Sequence, residues 1–225
     1  MSGLVVAFIV VACGDDAASE DDGSSYTYST SLKNGVATYY DADGSGNCSF
    51  DKSSDLDVVA MNTPEYGASA ACGGCVHVRS PAGEVTVRVV DRCPECPTGH
   101  LDLSKQAFAK IAKLEQGKVS ITYQSVACNV SGNLAYHFKD GSSKYWVAIQ
   151  VRNHPVPIAK LEYKKGSSFV PMKRENYNYF VEAAGVGDIS SLVLRVTAAD
   201  GNTVEDTLPG AIDSDKLVVG SAQFR

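Results

Sequence analysis

Six cysteines, Cys48, Cys72, Cys75, Cys93, Cys96 and Cys128, fall within residues 48–128, and none follows. The inner four read Cys-x2-Cys-x17-Cys-x2-Cys, a spacing that suits a structural zinc site. Thiolates on two short knuckles can close a tetrahedron around zinc. The outer two make the number even, and in an exported chain an oxidising compartment favours three disulfides over a metal. Six cysteines allow fifteen pairings, and spacing alone selects none of them. In either case cross-links confine the first part of the chain, and whatever follows Cys128 must be held by its own apolar core.

Export is what the other end of the sequence suggests. An apolar run from Leu4 to Ala12 ends at Cys13. It is far shorter than the ~20 residues that span a bilayer, and reads as the apolar region of a secretory leader. Val10-Val11-Ala12-Cys13 also resembles a lipoprotein cleavage box, which would make Cys13 a lipidated N-terminus, although no basic residue precedes the run. Residues 14–34 follow, rich in Asp, Ser, Gly and Thr without apolar period, the composition of a flexible tether. Five acidic residues against Lys33 give residues 1–34 a charge of −4 out of the total of −6, so the body of the chain is nearly neutral. That balance argues against nucleic acid as a partner. Contact with a membrane is expected only through a lipid on Cys13.

From Gly35 onward short β-type runs dominate, at 37–40, 57–61, 76–79, 85–90 and 119–123, separated by Gly, Pro, Asn and Asp. One stretch differs: Ala107, Phe108, Ile111 and Leu114 recur at helical spacing behind Ser104, predicting a helix over 104–114. A turn-rich stretch at 129–133 leads to further runs at 145–152, 159–163, 169–172, 179–183 and 192–198, with no helical period. Several short strands over the second segment suggest a sandwich. The reading is a mainly β chain divided into a leader at 1–13, a tether at 14–34, and two units at 35–130 and 134–225.

Four motifs then make the chain recognisable: Gly35-Val-Ala-Thr-Tyr39, Val89-Val-Asp91, Leu101-Asp-Leu-Ser104, and the run from Gly141 to His154. In this order they resemble the two-domain bacterial expansins from about Gly35 to the C-terminus. The resemblance implies a six-stranded double-psi β-barrel followed by an immunoglobulin-like β-sandwich that binds carbohydrate. It implies a polysaccharide groove lined by Thr38, Asp91 and Asp102, with Asp102 on the glycan and the other two positioning and polarising it. On residue type alone, Asp91 could be a turn residue at a strand end and Asp102 a carboxylate favoured ahead of a helix. The chain departs from the family pattern at Cys93, where an aromatic is usual two residues after the first Asp. The resemblance further implies pairing of Cys48 with Cys72 and Cys75 with Cys128, which leaves Cys93 and Cys96 to pair locally, and it calls for neither cofactor nor metal.

For the second unit the resemblance implies a row of aromatics, Tyr145, Trp146 and Tyr177, with Lys139 nearby. Flat sugar faces stack on such rings, and exposed large apolar side chains in line are otherwise unexpected on a soluble protein. Strict alternation cannot put Tyr145 and Trp146 on one strand face, so a strand end or bulge is required there; the competing reading makes Trp146 core. Expansins share their barrel with family-45 endoglucanases, whose inverting chemistry needs a general acid and a general base. Asp102 corresponds to the acid. Tyr39-Tyr40-Asp41 is similar to the segment that carries the base, although Asp41 also suits a turn. The expectation is a secreted or cell-surface monomer that binds cell-wall polysaccharide (cellulose, with xyloglucan or peptidoglycan as further candidates) and loosens it without hydrolysis. The alternatives are a weak endoglucanase or lytic transglycosylase using Asp102 and Asp41, and a protein that only binds polysaccharide.

Overall fold

The computed structural model describes residues 27–187, 191–209 and 214–224. The leader, Cys13 and most of the tether lie outside them. Six strands form the first unit: β1 (Lys33–Tyr40), β2 (Val58–Asn62), β3 (Cys75–Ser80), β4 (Gly83–Cys93), β5 (His100–Ser104) and β6 (Val119–Val126). They close a barrel in the order β1-β5-β2-β4-β3-β6. β1 pairs with β5 in parallel, β2 pairs with β4 in parallel, and the remaining neighbours are antiparallel.

The barrel interior follows from side-chain alternation along each strand. Ala37, Val59, Met61, Val76, Val78, Val87, Val89, Leu101, Leu103 and Ile121 gather in one buried cluster. Each fully buried Val or Leu there contributes roughly 1.5–3 kcal/mol. The helix expected over 104–114 is shorter than its periodicity predicts. Within that span only Lys105–Phe108 is α-helical (α2, after a first short helix α1 at Thr63–Tyr66), followed by turns and a 3-10 segment at Leu114–Gln116. Ser104 caps α2 through its hydroxyl, accepting from the Ala107 N–H. Beyond the helix the backbone tightens to three-residue spacing, as in Ile111 N–H to Phe108 O. Ala107, Phe108 and Ile111 still reach the core fully buried, so the apolar pattern records burial rather than a long helix.

All three disulfides belong to this unit: Cys48–Cys72, Cys75–Cys128 and Cys93–Cys96. Cys72 and Cys75 each bond to an outer cysteine, so the inner four do not form a zinc tetrahedron.

Among the described residues nine further strands follow: β7 (Ala135–Phe138), β8 (Val147–Arg152), β9 (Ile158–Lys165), β10 (Ser168–Pro171), β11 (Lys173–Arg174), β12 (Phe180–Glu182), β13 (Ser191–Ala198), β14 (Thr203–Pro209) and β15 (Lys216–Val219). They make two antiparallel sheets, ordered β10-β9-β13-β14 and β11-β12-β8-β7-β15. Alternate residues of both sheets, among them Tyr136, Phe138, Val147, Ile149, Leu161, Leu194 and Val196, meet in a second buried cluster. β5, β7, β11, β14 and β15 are strands that the sequence did not announce. β5 is the Leu-Asp-Leu-Ser run itself, so Asp102 sits inside a strand rather than ahead of a helix.

Candidate functional site

Strand register assembles a row of side chains on the outside of the barrel. Thr38 on β1 is paired with Asp102 on β5, Asp102 with Ala60 on β2, and Ala60 with Asp91 on β4. The neighbours Ala37, Leu101, Val59 and Val89 all point into the core, so the row faces outward. The register slips between Val59 and Ala60, leaving Val90 unopposed. A bulge of this kind re-aims the following side chain, here Asp91, into line with the other three. The two carboxylates thus flank Ala60, with backbones two strand spacings apart, roughly 9–10 Å. Ala60 presents only a methyl group between them.

Asp91 is clamped. Its Oδ1 accepts from the backbone N–H of Asn47 at 2.7 Å and of Arg92 at 2.8 Å. Gly46 allows this approach, because a Cβ there would lie 2.4 Å from the Asp91 Cγ. Asp102 is half-buried and accepts the Thr38 hydroxyl at 2.5 Å. Burial pushes its carboxyl above the usual range, Asp91 and Glu95 add to that, and Thr38 and His100 oppose it. Thr38 has a second neighbour, His100 Nε2, at 2.9 Å. Burial lowers the His100 ring below its ordinary value and the charge of Lys118 lowers it further, while Asp102 and Glu95 pull the other way.

Tyr40 packs on Ala60, Cys93 and Cys96 beside this row. Its hydroxyl is buried with no hydrogen-bond partner among the described residues, and burial, then Asp91 and Asp102, push it well above the phenol range. The position where an aromatic is usual is thus filled by a disulfide that carries the ring of Tyr40. Asp41 lies elsewhere. Tyr39 packs on Phe108 with centroids 4.9 Å apart, and Asp41, in phase with it, pairs with Lys105 Nζ at 2.6 Å. Its side chain is 83% exposed, on the α2 side of β1 rather than in the row with Asp102.

On the second unit, Lys144 and Tyr145 are the centre of a tight turn closed by the Ser143 N–H to Trp146 O bond at 2.7 Å. Trp146 therefore stands at a strand end, just ahead of β8. Tyr145 is 73% exposed, and Trp146 is partly exposed and absent from the buried cluster. Partly exposed Tyr177, in the turn before β12, lies 5.8 Å from the ring of Tyr179, and Lys139 Nζ stands 5.7 Å over Tyr179. The two units meet beside that turn. The Asn176 carbonyl accepts from Asn47 Nδ2 at 3.1 Å and from the Tyr66 hydroxyl at 2.9 Å. Asn47 thus holds Asp91 with its backbone and the Tyr177 turn with its side chain.

Sequence reasoning missed His100, Asn47 and Ala60. A signal existed only for His100, which lies two residues before Asp102 and so shares its face on any strand.

Fold and site together define a class: a barrel of two interlocked parallel strand pairs, the double-psi arrangement, with paired carboxylates on its outer wall. Residues 33–123 match the family model described as lytic transglycolase. The chain is 38% identical to Expansin-YoaJ of Bacillus subtilis, over 86% of this chain and 87% of that protein. It is 32% identical to Expansin-like protein 5 of Dictyostelium discoideum, over 88% of each. The crystal structure of the apo expansin of Clavibacter michiganensis superposes with a TM-score of 0.78 at 32% identity, covering 87% of this chain and 98% of that one. An aspartate-to-asparagine mutant of that expansin, in complex with cellohexaose, gives a TM-score of 0.79 at the same identity and coverage. The chain belongs to the expansin family.

Proposed function

We propose that this protein is secreted, binds cellulose or a related neutral glucan of the cell wall, and loosens the wall without hydrolysing it. The observation that carries the reading is the link from the Thr38–Asp102–Ala60–Asp91 row, through Asn47, to the turn that bears Tyr177. In this reading residues 134–225 are an immunoglobulin-like carbohydrate-binding sandwich. Its Tyr145, Trp146, Tyr177 and Lys139 extend the barrel groove, so one chain of sugars lies across both units. The complex of the Clavibacter relative with cellohexaose supports a β-glucan as the ligand. Asp102 supplies hydrogen bonds to the glycan, and Thr38 and Asp91 fix the surroundings in which it does so.

The placement of Asp41 speaks against hydrolysis. Inversion needs a second carboxylate that activates water across from the acid. Asp41 is held by Lys105 on the α2 side of β1, out of the row that contains Asp102. A second reading, lytic transglycosylation of peptidoglycan, is favoured by the family description matched by the barrel. The two separate in one experiment: extension of heat-inactivated plant wall, with soluble fragments released from cellulose and from peptidoglycan, whether they end in reducing or anhydro sugars, measured in parallel. We expect extension without released fragments, and loss of extension in Asp102→Asn with cellulose binding retained. Released fragments that vanish in Asp102→Asn would establish catalysis instead, anhydro ends marking transglycosylation and reducing ends hydrolysis.

A further inference from the structure

Thr38 has one hydroxyl proton and two polar neighbours within hydrogen-bond reach, and this fixes more than a static contact. A threonine hydroxyl offers one donor and two acceptor lone pairs. While it donates to Asp102 Oδ1, it can only accept from His100 Nε2, which must then carry a proton. The order of donors is His100 Nε2–H to Thr38 Oγ1–H to Asp102 carboxylate. If Asp102 becomes protonated, the order can reverse: Asp102 O–H donates to Thr38, and Thr38 donates to an unprotonated His100 Nε2.

We propose that His100, Thr38 and Asp102 form a proton relay in which uptake of a proton by Asp102 moves the His100 proton from Nε2 to Nδ1. The transfers balance. One proton binds His100 at Nδ1, the Nε2 proton passes to Thr38 Oγ1, and the Thr38 proton passes to Asp102. The ring ends neutral, as it began, and the only charge lost is that of the carboxylate. His100 is a positioning residue in this scheme, acting on the glycan through Asp102.

The surroundings bias which member takes the first proton. Asp102 is faced by Asp91 from β4, by Glu95 from the turn after β4, and by the neutral hydroxyl of Tyr40 from β1, while β2 contributes only Ala60. These disfavour a carboxylate. His100 is faced by Lys118, just ahead of β6, and by Glu95 and Asp102. Lys118 and burial disfavour an imidazolium, and Asp102 ceases to stabilise one once it is neutral. Both sets of neighbours thus bias the site toward the uncharged relay and away from an imidazolium–carboxylate pair. The functional consequence rests on the proposal that Asp102 contacts glycan. Asp102 accepts from sugar hydroxyls in both states, because its one acid proton is committed to Thr38, but it accepts as a charged carboxylate in the first and as a weaker, neutral acceptor in the second.

The test uses the free protein and no polysaccharide, so its failure is distinguishable from failure of the loosening reading. The pH titration follows the Asp102 side-chain carbon and both His100 ring nitrogens by NMR, with the His100 signals assigned by their loss in His100→Gln. Through the Asp102 transition His100 should keep one proton, lost from Nε2 and gained at Nδ1. In Thr38→Val, which removes the hydroxyl at similar size, Asp102 should still titrate, but the exchange between ring nitrogens should vanish. Formation of the imidazolium at or above the pH where Asp102 takes its proton would overturn the relay. So would a proton that stays on one ring nitrogen throughout, or an exchange that survives Thr38→Val.

Discussion

At the scale of single residues the site is a set of constraints around two carboxylates that are held differently. Asp91 receives two backbone N–H groups, whereas Asp102 is half-buried beside like charges. A carboxyl raised above its unfolded value binds its proton more tightly in the fold. Its contribution to stability is present below the ordinary value of 3.8 and is lost as pH rises through the folded one. At neutral pH Asp102 therefore lowers stability, and Asp102→Asn should raise the melting temperature. The gain should shrink as the buffer is taken below pH 4, where the wild-type residue is also neutral. A variant that melts lower than wild type at pH 7 would show that the Thr38 bond outweighs the burial. Thr38, Asp91 and Asp102 were legible in the sequence because three short motifs carry them in order. Asn47 was not, because its role depends on a backbone N–H, which every residue but proline offers. Ala60 was not legible either, since a small residue between two carboxylates is defined by strand pairing alone.

At the scale of elements, the sequence located most barrel strands but passed over β5, which alternates yet is only five residues long and runs straight into the capped helix. Every residue of β2 is buried, so no alternation marks it, and it was found by its β-branched content. The helix over 104–114 shrank to α2 because tertiary burial of Phe108 and Ile111 imitates a helical stripe. For the aromatics, the requirement of a strand end at Tyr145 and Trp146 is met by the turn ahead of β8. Trp146 lies outside the buried cluster, so Trp146→Ala should leave the melting temperature of the full chain within a few degrees. Cellulose binding should weaken by roughly 5- to 150-fold, taking as an analogy the ~1–3 kcal/mol of a base stacked on an aromatic ring. A binding isotherm on insoluble cellulose, beside thermal unfolding of the same sample, separates the outcomes. Unfolding accompanied by a loss of about 3–5 kcal/mol would mark the ring as core.

At the scale of the whole molecule the two units are joined by polar bonds that sequence could not foresee, because they link turns far apart in the chain. Gln150 Nε2 and Asn178 Nδ2 both donate to the Cys48 carbonyl, at 2.8 and 3.2 Å. Arg174 stacks on Phe180 with 4.4 Å to the ring centroid and donates to the carbonyls of Ser69 and Ile158. In the same junction His154 is buried, with Nδ1 donating to the Val156 carbonyl at 2.9 Å. Its ring packs on Gly73, where a Cβ would come within 2.6 Å of Cε1 and where φ is +72°. Burial, then the charges of Arg88 and Arg174, depress the ring from the ordinary 6.5 to about 4. Between those values the unfolded chain binds a proton that the folded chain refuses, so stability rises with pH across the window. The contribution is fully present above about 6.5 and is lost as pH falls toward about 4, amounting to about 3 kcal/mol across it. His154→Gln keeps a donor for Val156 but does not titrate. It should be less stable than wild type at pH 7, yet its melting temperature should fall less steeply from pH 6.5 to 4. Calorimetry of both proteins across that range is the measurement, and the two curves should converge at the acid end. Parallel curves would mean that acid loosens the molecule through groups outside this junction, with His154 a packing residue only.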